Sequence, residues 1–480
     1  MSSTLNAGVS RIDITPPAGF RMQGIMSRIE GARGIDSNLL ATILVLADES
    51  SKVVLVDCDL IGFDMELVAE IRREIGAGVG TPATHVAVGC THTHSGPCTS
   101  RGNLGGVHDV GGDPNERAAL DFYITNLKGQ LAAATVDADR QAVPARIGSG
   151  RSSAAVAINR EELNDDGRVL VGRNPEGITD HNVEVLRVDD LEGNPIAVVT
   201  GYAAHPVVMG QQWQLISQDF PGVTRRVVEA ATGATCLYFT GAAGNQASLS
   251  FLQHDSAEME RMGGQVGAAA AKAFFEIETR PHTVVREVGA SLSALALYRK
   301  EFQRGPSHDL FRVAHRTVEV PLQPLPTAAA ARAQFDEADK SLRLLESSGA
   351  PSAQVYPARM TQSWTKTVLE RVEAGITQEH LSFEIVGYRI DDFVFAGMPG
   401  EPFAEIGLGV KALSANLVTV FAGYCNGVLA YWPSAETVKQ GGMSVSSAVK
   451  TYHISAPPTA DTVEIIVGEF AALYKELGAD

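Results

Sequence analysis

Val53 to Leu60 reads VVLVDCDL, and the reading of this run decides the fold. An apolar run of strand length, bounded by polar and turn residues, is a buried strand. Upstream, Leu39 to Leu46 (LLATILVL) reads the same way. Downstream, Met65 to Ile75 has the period of an amphipathic helix, and His85 to Cys90 (HVAVGC) is another short strand. The alternation continues outward. Ala118 to Ala134 is helical, Val183 to Val188 and Ile196 to Tyr202 are strands, and Val223 to Ala231 is a helix. Cys236 to Thr240 is a strand and Ser256 to Phe275 a helix rich in Ala and Gly. Strands alternating with helices predict an α/β fold, a mixed sheet core flanked by helices and covered on both faces.

The second half is less regular. Thr283 to Leu297 alternates like one long strand, and Thr317 to Leu322 like another. Thr327 to Glu346 and Thr361 to Glu373 read as helices around the turn-rich Ser347 to Pro357, a helical insertion over 325–375. Leu381 to Ile390 and Phe393 to Gly397 form a hairpin turning at Asp391 and Asp392. Phe403 to Leu413 is a helix, Leu417 to Ala422 a strand and Thr462 to Leu477 a final helix. With no repeat and no low-complexity linker, 1–480 reads as a single domain.

A chain with 45% hydrophobic and 20% charged residues can bury a large core. Its formal net charge of -17 argues against nucleic acid or an anionic membrane face as partner. Cys58, Cys90, Cys98, Cys236 and Cys425 are odd in number and scattered, which suits free thiols in a reducing compartment. The opening MSSTLNAGVSRIDITPP has no basic stretch leading into an apolar run, and nothing approaches the ~20 apolar residues of a membrane span. The expectation is a soluble cytoplasmic protein acting on a small molecule, with self-association into a homo-oligomer left open.

Four segments carry chemistry. Gly89-Cys-Thr-His-Thr-His-Ser-Gly-Pro97 ends a strand in a turn, and its i, i+2 spacing sets His92 and His94 on one face of an extended backbone. They read equally as metal or proton-transfer groups and as loop histidines. His205, after the strand Ile196 to Tyr202, reads as a second strand-end ligand or as a turn histidine held by Pro206. Glu401, in Phe395-Ala-Gly-Met-Pro-Gly-Glu-Pro-Phe403, is a hard oxygen ligand or a carboxylate favoured at a helix start. The loop after Phe421 carries Tyr424, Asn426 and Tyr431, an aromatic run that by itself suggests packing. Thr224-Arg225-Arg226 reads as a solvated helix face. Asp219, before Pro221, reads as a helix-entry residue or as a partner of a metal-bound histidine.

Together these segments resemble the catalytic domain of the neutral/alkaline non-lysosomal ceramidases and their shorter bacterial relatives. Gly8-Val-Ser-Arg-Ile-Asp-Ile-Thr-Pro16 is similar to that family's first strand and turn, and Thr91-His-Thr-His-Ser-Gly-Pro97 to its signature. Ile158-Asn159-Arg160 and Pro399-Gly400-Glu401 match further motifs in the same order over nearly the whole chain. The resemblance implies one Zn²⁺ per chain, or another divalent ion, held by His92, His205, Glu401 and Tyr431, with His94 and Arg160 as catalytic residues beside it.

The chain departs from the family pattern in two places. A family Ser-Asn-x-Gly-Asp stretch is here Gly241-Ala-Ala-Gly-Asn245, and a second tyrosine falls at Met443. These changes favour activated water over a serine nucleophile, and a smaller soluble substrate over ceramide. The expected activity is therefore zinc-dependent amide hydrolysis. An esterase or lactonase would use the same site, and a non-catalytic ligand-binding descendant is the reading from outside enzymes.

Overall fold

The computed structural model describes residues 4–25, 28, 30–97, 99, 114–287, 296–303 and 308–479. Cys98 lies outside them; Cys58, Cys90, Cys236 and Cys425 are buried free thiols. Among the described residues, no helix is long and apolar enough to cross a membrane.

The core is an eight-stranded mixed sheet. Its strands are β1 (Asn6–Asp13), β2 (Leu40–Ala47), β3 (Lys52–Cys58), β4 (Val86–Cys90), β5 (Val143–Ser153), β6 (Asn182–Asp190), β7 (Pro195–Tyr202) and β8 (Thr235–Thr240), in the order β8-β7-β6-β5-β1-β2-β3-β4. The β3/β4 and β7/β8 pairs are parallel and the rest antiparallel. A second sheet holds β9 (Phe311–Pro321), β10 (His380–Ile390), β11 (Phe393–Gly397) and β12 (Val418–Ala422) in chain order, with only β11/β12 parallel.

Alternation along the strands explains the layering. In β2 and β3, Ile43, Val45, Val54 and Val56 face the helices α1 (Met65–Val79) and α2 (Pro114–Arg140). Leu44, Leu46, Val53 and Leu55 face the second sheet, where they meet Tyr388, Phe393 and Phe395. Helices α3 (Asp219–Thr232) and α4 (Ala257–Glu276) cover the other half of the large sheet. Ile406, in α7 (Ala404–Lys411), and Phe470, in the last helix Thr462–Glu476, cover the outer face of the small sheet. Helices thus flank the core as expected, but only on the outside. The apolar inner faces of the two sheets cover each other.

The large sheet also curls until its edge strands meet. Thr240 Oγ1 donates to the Thr91 carbonyl at 2.6 Å, and a Cβ on Gly89 would stand 2.6 Å from the Phe239 ring. This closure brings the ends of β4 and β7 together.

Four readings are corrected. Helix α6 (Ser352–Glu373) begins well before Thr361 and runs through Pro357, which early in a helix forfeits one backbone bond without ending it. It pairs with α5 (Ala328–Ser347), and both lie between the paired strands β9 and β10. The single strand expected over Thr283 to Leu297 is instead an antiparallel pair, His282–Arg286 with Tyr298–Phe302; its middle, 288–295, lies outside the described residues. Strand β5 has no counterpart in the sequence reading, because Gly148 and Gly150 break its apolar pattern. Ile277 lies 2.5 and 3.0 Å from where their Cβ atoms would be, so only glycine admits the end of α4 there. Arg225 is not solvated. It is buried, with Nη1 on Asp57 at 2.7 Å and Nη2 on Asp59 at 2.5 Å, because two carboxylates at the end of β3 compensate its charge.

Candidate metal centre

Each candidate ligand follows the carboxyl end of a strand. His92 lies two residues beyond β4, where its N–H donates to the Leu60 carbonyl at 2.9 Å. Its φ of 65° is left-handed, a costly conformation for a non-glycine residue that marks a constrained site. His205 lies three residues beyond β7, and its N–H donates to the Gln246 carbonyl at 3.0 Å. Glu401 lies beyond β11, not inside a helix. It pairs in parallel with Tyr431 across the two-residue strands Glu401–Pro402 and Tyr431–Trp432, so the backbone itself sets these two residues side by side. Tyr424, also at positive φ, lies beyond β12, and its ring covers His92 with centroids 4.1 Å apart.

The imidazoles are oriented from behind. His92 Nδ1 lies 2.5 Å from the Ile61 carbonyl and His205 Nδ1 lies 3.0 Å from the Ala243 carbonyl. A carbonyl only accepts, so each Nδ1 carries the proton and each Nε2 turns inward. Both Nε2 atoms lie 3.5 Å from Glu401 Oε2. The remaining Glu401 oxygen, Oε1, accepts from the Tyr452 hydroxyl. His94 completes a triangle of rings, with centroids 5.0 Å from both His92 and His205. One nitrogen from each of the three histidines falls within 4.8 Å of the others, so this group could hold a metal ion.

The electrostatics suit a cation. Burial pushes the His94 and His205 imidazoles well below the usual histidine range, which keeps them neutral and able to ligate. Burial alone would raise the Glu401 carboxyl, but His92, Arg160 and the Tyr452 hydroxyl outweigh it and hold the group lowered and ionised. Arg160 is buried. Its Nε and Nη2 reach the Gly244 carbonyl at 3.1 and 2.7 Å, and Nη2 reaches the Tyr431 hydroxyl at 3.0 Å. Its burial is compensated by Tyr431 and Glu401, which keep the guanidinium charged.

All six residues singled out in the sequence (His92, His94, Arg160, His205, Glu401 and Tyr431) line one cavity of about 510 Å³. Its walls are largely apolar, from Ile61, Val171, Val207, Phe251, Leu252 and Met443, with Ala353 and Pro357 contributed by α6. Asp219 and Asn245 are not among the lining residues. Asp219 accepts from the Met209 and Phe220 N–H groups rather than from a histidine, and Asn245 bonds Glu405 and the Ala404 N–H. Sequence reasoning missed Tyr452 entirely and gave Tyr424 only a packing role. Nothing in their spacing singles them out; their hydroxyls become informative only once Glu401 is placed between them, with Tyr424 Oη 3.4 Å from Oε2.

Comparison with known proteins adds the following. Residues 5–243 match the family described as neutral/alkaline non-lysosomal ceramidase, N-terminal. That stretch holds His92, His94, Arg160 and His205 but ends before Glu401. Neutral ceramidase A of Dictyostelium discoideum is 29% identical over 257 residues, 50% of this chain and 34% of that protein. A neutral ceramidase of Drosophila melanogaster is 27% identical over 246 residues, 48% and 32% of the respective chains. The matches thus span about a third of the length of these relatives. Among solved structures, a ceramidase complexed with C2 superposes with a TM-score of 0.66 at 16% identity, covering 98% of this chain and 74% of that one. The neutral ceramidase from Pseudomonas aeruginosa does so at 0.63 and 18%, with the same coverage. At such identities the likeness is one of fold.

Proposed function

Because the chain belongs to the neutral/alkaline non-lysosomal ceramidase family, we propose that it is a metal-dependent hydrolase cleaving an amide (C–N) bond of a small substrate. The ion is of zinc type and its ligands are His92, His205, Glu401 and Tyr431. The observation that carries this reading is the convergence of two buried imidazole Nε2 atoms and one carboxylate oxygen on a single point. His205 Nε2 is buried without a hydrogen-bond partner, a cost that a cation would remove. Two imidazoles, a carboxylate and a phenol are a donor set that suits Zn²⁺. A bound divalent ion would polarise the scissile carbonyl and acidify a water molecule.

The chain's own groups supply the rest. His94 Nε2 lacks a protein partner and faces the cavity, so it can take a proton and pass it to the departing amine. Arg160, fixed by Gly244 and Tyr431, presents a permanent positive charge where the carbonyl oxygen becomes anionic. The apolar walls hold the acyl side of the substrate and exclude water. Met443 in the wall, and a limited cavity partly closed by α6, favour a smaller molecule than ceramide. The helical pair in 325–375 then acts as a wall-building insertion within one catalytic unit.

Metal analysis of the purified protein, alongside His92→Ala and Glu401→Ala, tests the assignment. Both variants are expected to lose the bound ion and the hydrolysis. Variants that keep full metal content and full turnover reject it. Matched amide and ester substrates sharing one acyl group decide between amidase and esterase.

A further inference from the structure

We propose that Tyr452 is a positioning residue that ties down Oε1 of Glu401 and so presents Oε2, and only Oε2, to the His92 and His205 pair. The proposal rests on the metal reading above and adds a residue that neither the sequence motifs nor the ligand set contains.

A buried carboxylate has two equivalent oxygens and can rotate between them unless something breaks the symmetry. Here the symmetry is broken. Oε2 lies 3.5 Å from Nε2 of both histidines, while Oε1 receives the Tyr452 hydroxyl. An ionised carboxylate only accepts, so the phenol is the donor in this contact. Glu401 is 2% exposed, so water cannot replace that donor cheaply. Tyr452 is itself held in place. Its N–H donates to the Ala448 carbonyl at 2.8 Å, and its ring stands edge-on to Tyr431 at 6.0 Å. Groups that orient a metal ligand from behind typically cost ~10–100-fold in metal affinity when removed. Tyr452 also lines the cavity, so the competing role is contact with substrate alone. The two roles separate experimentally, because only positioning changes the ion's affinity in the absence of substrate.

The test uses the full-length apo-protein, wild type and Tyr452→Phe, which keeps the ring and removes the hydroxyl. Zinc affinity is measured by competition with a chromophoric chelator, and the visible bands of the cobalt-substituted forms are recorded. The expected result is a ~10–100-fold weaker zinc affinity in Tyr452→Phe, with shifted cobalt bands, in an apo-protein that still unfolds cooperatively. Equal affinities and identical cobalt spectra overturn the proposal, including where KM alone rises. If wild type takes up neither ion, the metal reading falls and this inference with it. If wild type binds and Tyr452→Phe binds equally, only the inference falls.

Discussion

Nδ1 of His92 lies 2.5 Å from the carbonyl oxygen of Ile61, and this contact decides which ring nitrogen faces the cavity. Ile61 sits just beyond a buried charge cluster. Arg225 spans Asp57 and Asp59, Asp57 also accepts the Tyr238 N–H at 2.9 Å, and Asp59 accepts the Leu40 N–H at 2.9 Å. The segment from Cys58 to Ile61 then accepts from Thr91 N–H and from both His92 N–H groups. The cluster therefore anchors the backbone that aims a candidate ligand.

Replacing Arg225 by alanine leaves two buried carboxylates facing each other. Removing one partner of a buried pair costs about 3–5 kcal/mol. Arg225→Ala is expected to lose that much in urea unfolding, and more at pH 8 than at pH 5, since burial and Asp59 already raise the Asp57 carboxyl toward protonation. A loss below ~1 kcal/mol, in the range of exposed pairs, contradicts the anchoring role.

How much of this was legible in the sequence depends on the range of the interaction. The strand and helix of VVLVDCDL and its neighbours were readable because periodicity is local. The burial of Arg225 was not, because its compensating charges come from a distant strand. The THTH turn signalled chemistry through composition, yet its three-ring arrangement with His205 depends on closure of the curled sheet. Tyr452 carried no signal at all, since a lone tyrosine gains meaning only from the carboxylate it touches. Strand β5 was hidden by glycines whose reason, the side chain of Ile277, lies in another element.

Gly24 is the position where backbone freedom bears directly on the site. Its φ is +101°, and a Cβ there would stand 2.4 Å from His94 Nδ1. Gly24→Ala forces either the backbone or the imidazole to move. Alanine at such a φ is expected to cost on the order of 1 kcal/mol or more in thermal unfolding. A displaced His94 is expected to lower kcat by roughly 100-fold, the effect of a small misplacement of a reacting group. Wild-type kcat in a folded Gly24→Ala protein means that the backbone yields and the His94 imidazole keeps its place.

Arg160→Lys separates charge from shape. The guanidinium binds the Gly244 carbonyl through two nitrogens while one of them also reaches Tyr431, a fork that an ammonium cannot reproduce. The variant is expected to keep its metal content and lose roughly 100- to 1,000-fold in kcat, as when an oxyanion donor is removed. Parallel metal analysis and steady-state kinetics check both halves. Undiminished kcat means that Arg160 only supports Tyr431.

Asp219 gives a pH signature away from the ligands. It is buried, and its oxygens accept from Phe220 N–H at 2.7 Å and Met209 N–H at 3.1 Å. Burial pushes its carboxyl up to about 6, above the ~3.9 of an unfolded chain. Between those values the folded state holds the proton and the unfolded state has released it. Stability from this group is therefore full below about 4 and declines as pH rises through about 6. Asp219→Asn removes the titration, keeps an amide oxygen as acceptor and tolerates the left-handed φ of 56°. Urea unfolding of both proteins from pH 4 to pH 7 is expected to show the wild type losing ground to the variant by up to ~3 kcal/mol across that window. A difference that stays flat, or that grows in favour of the wild type, means that Asp219 is ionised in the folded protein throughout.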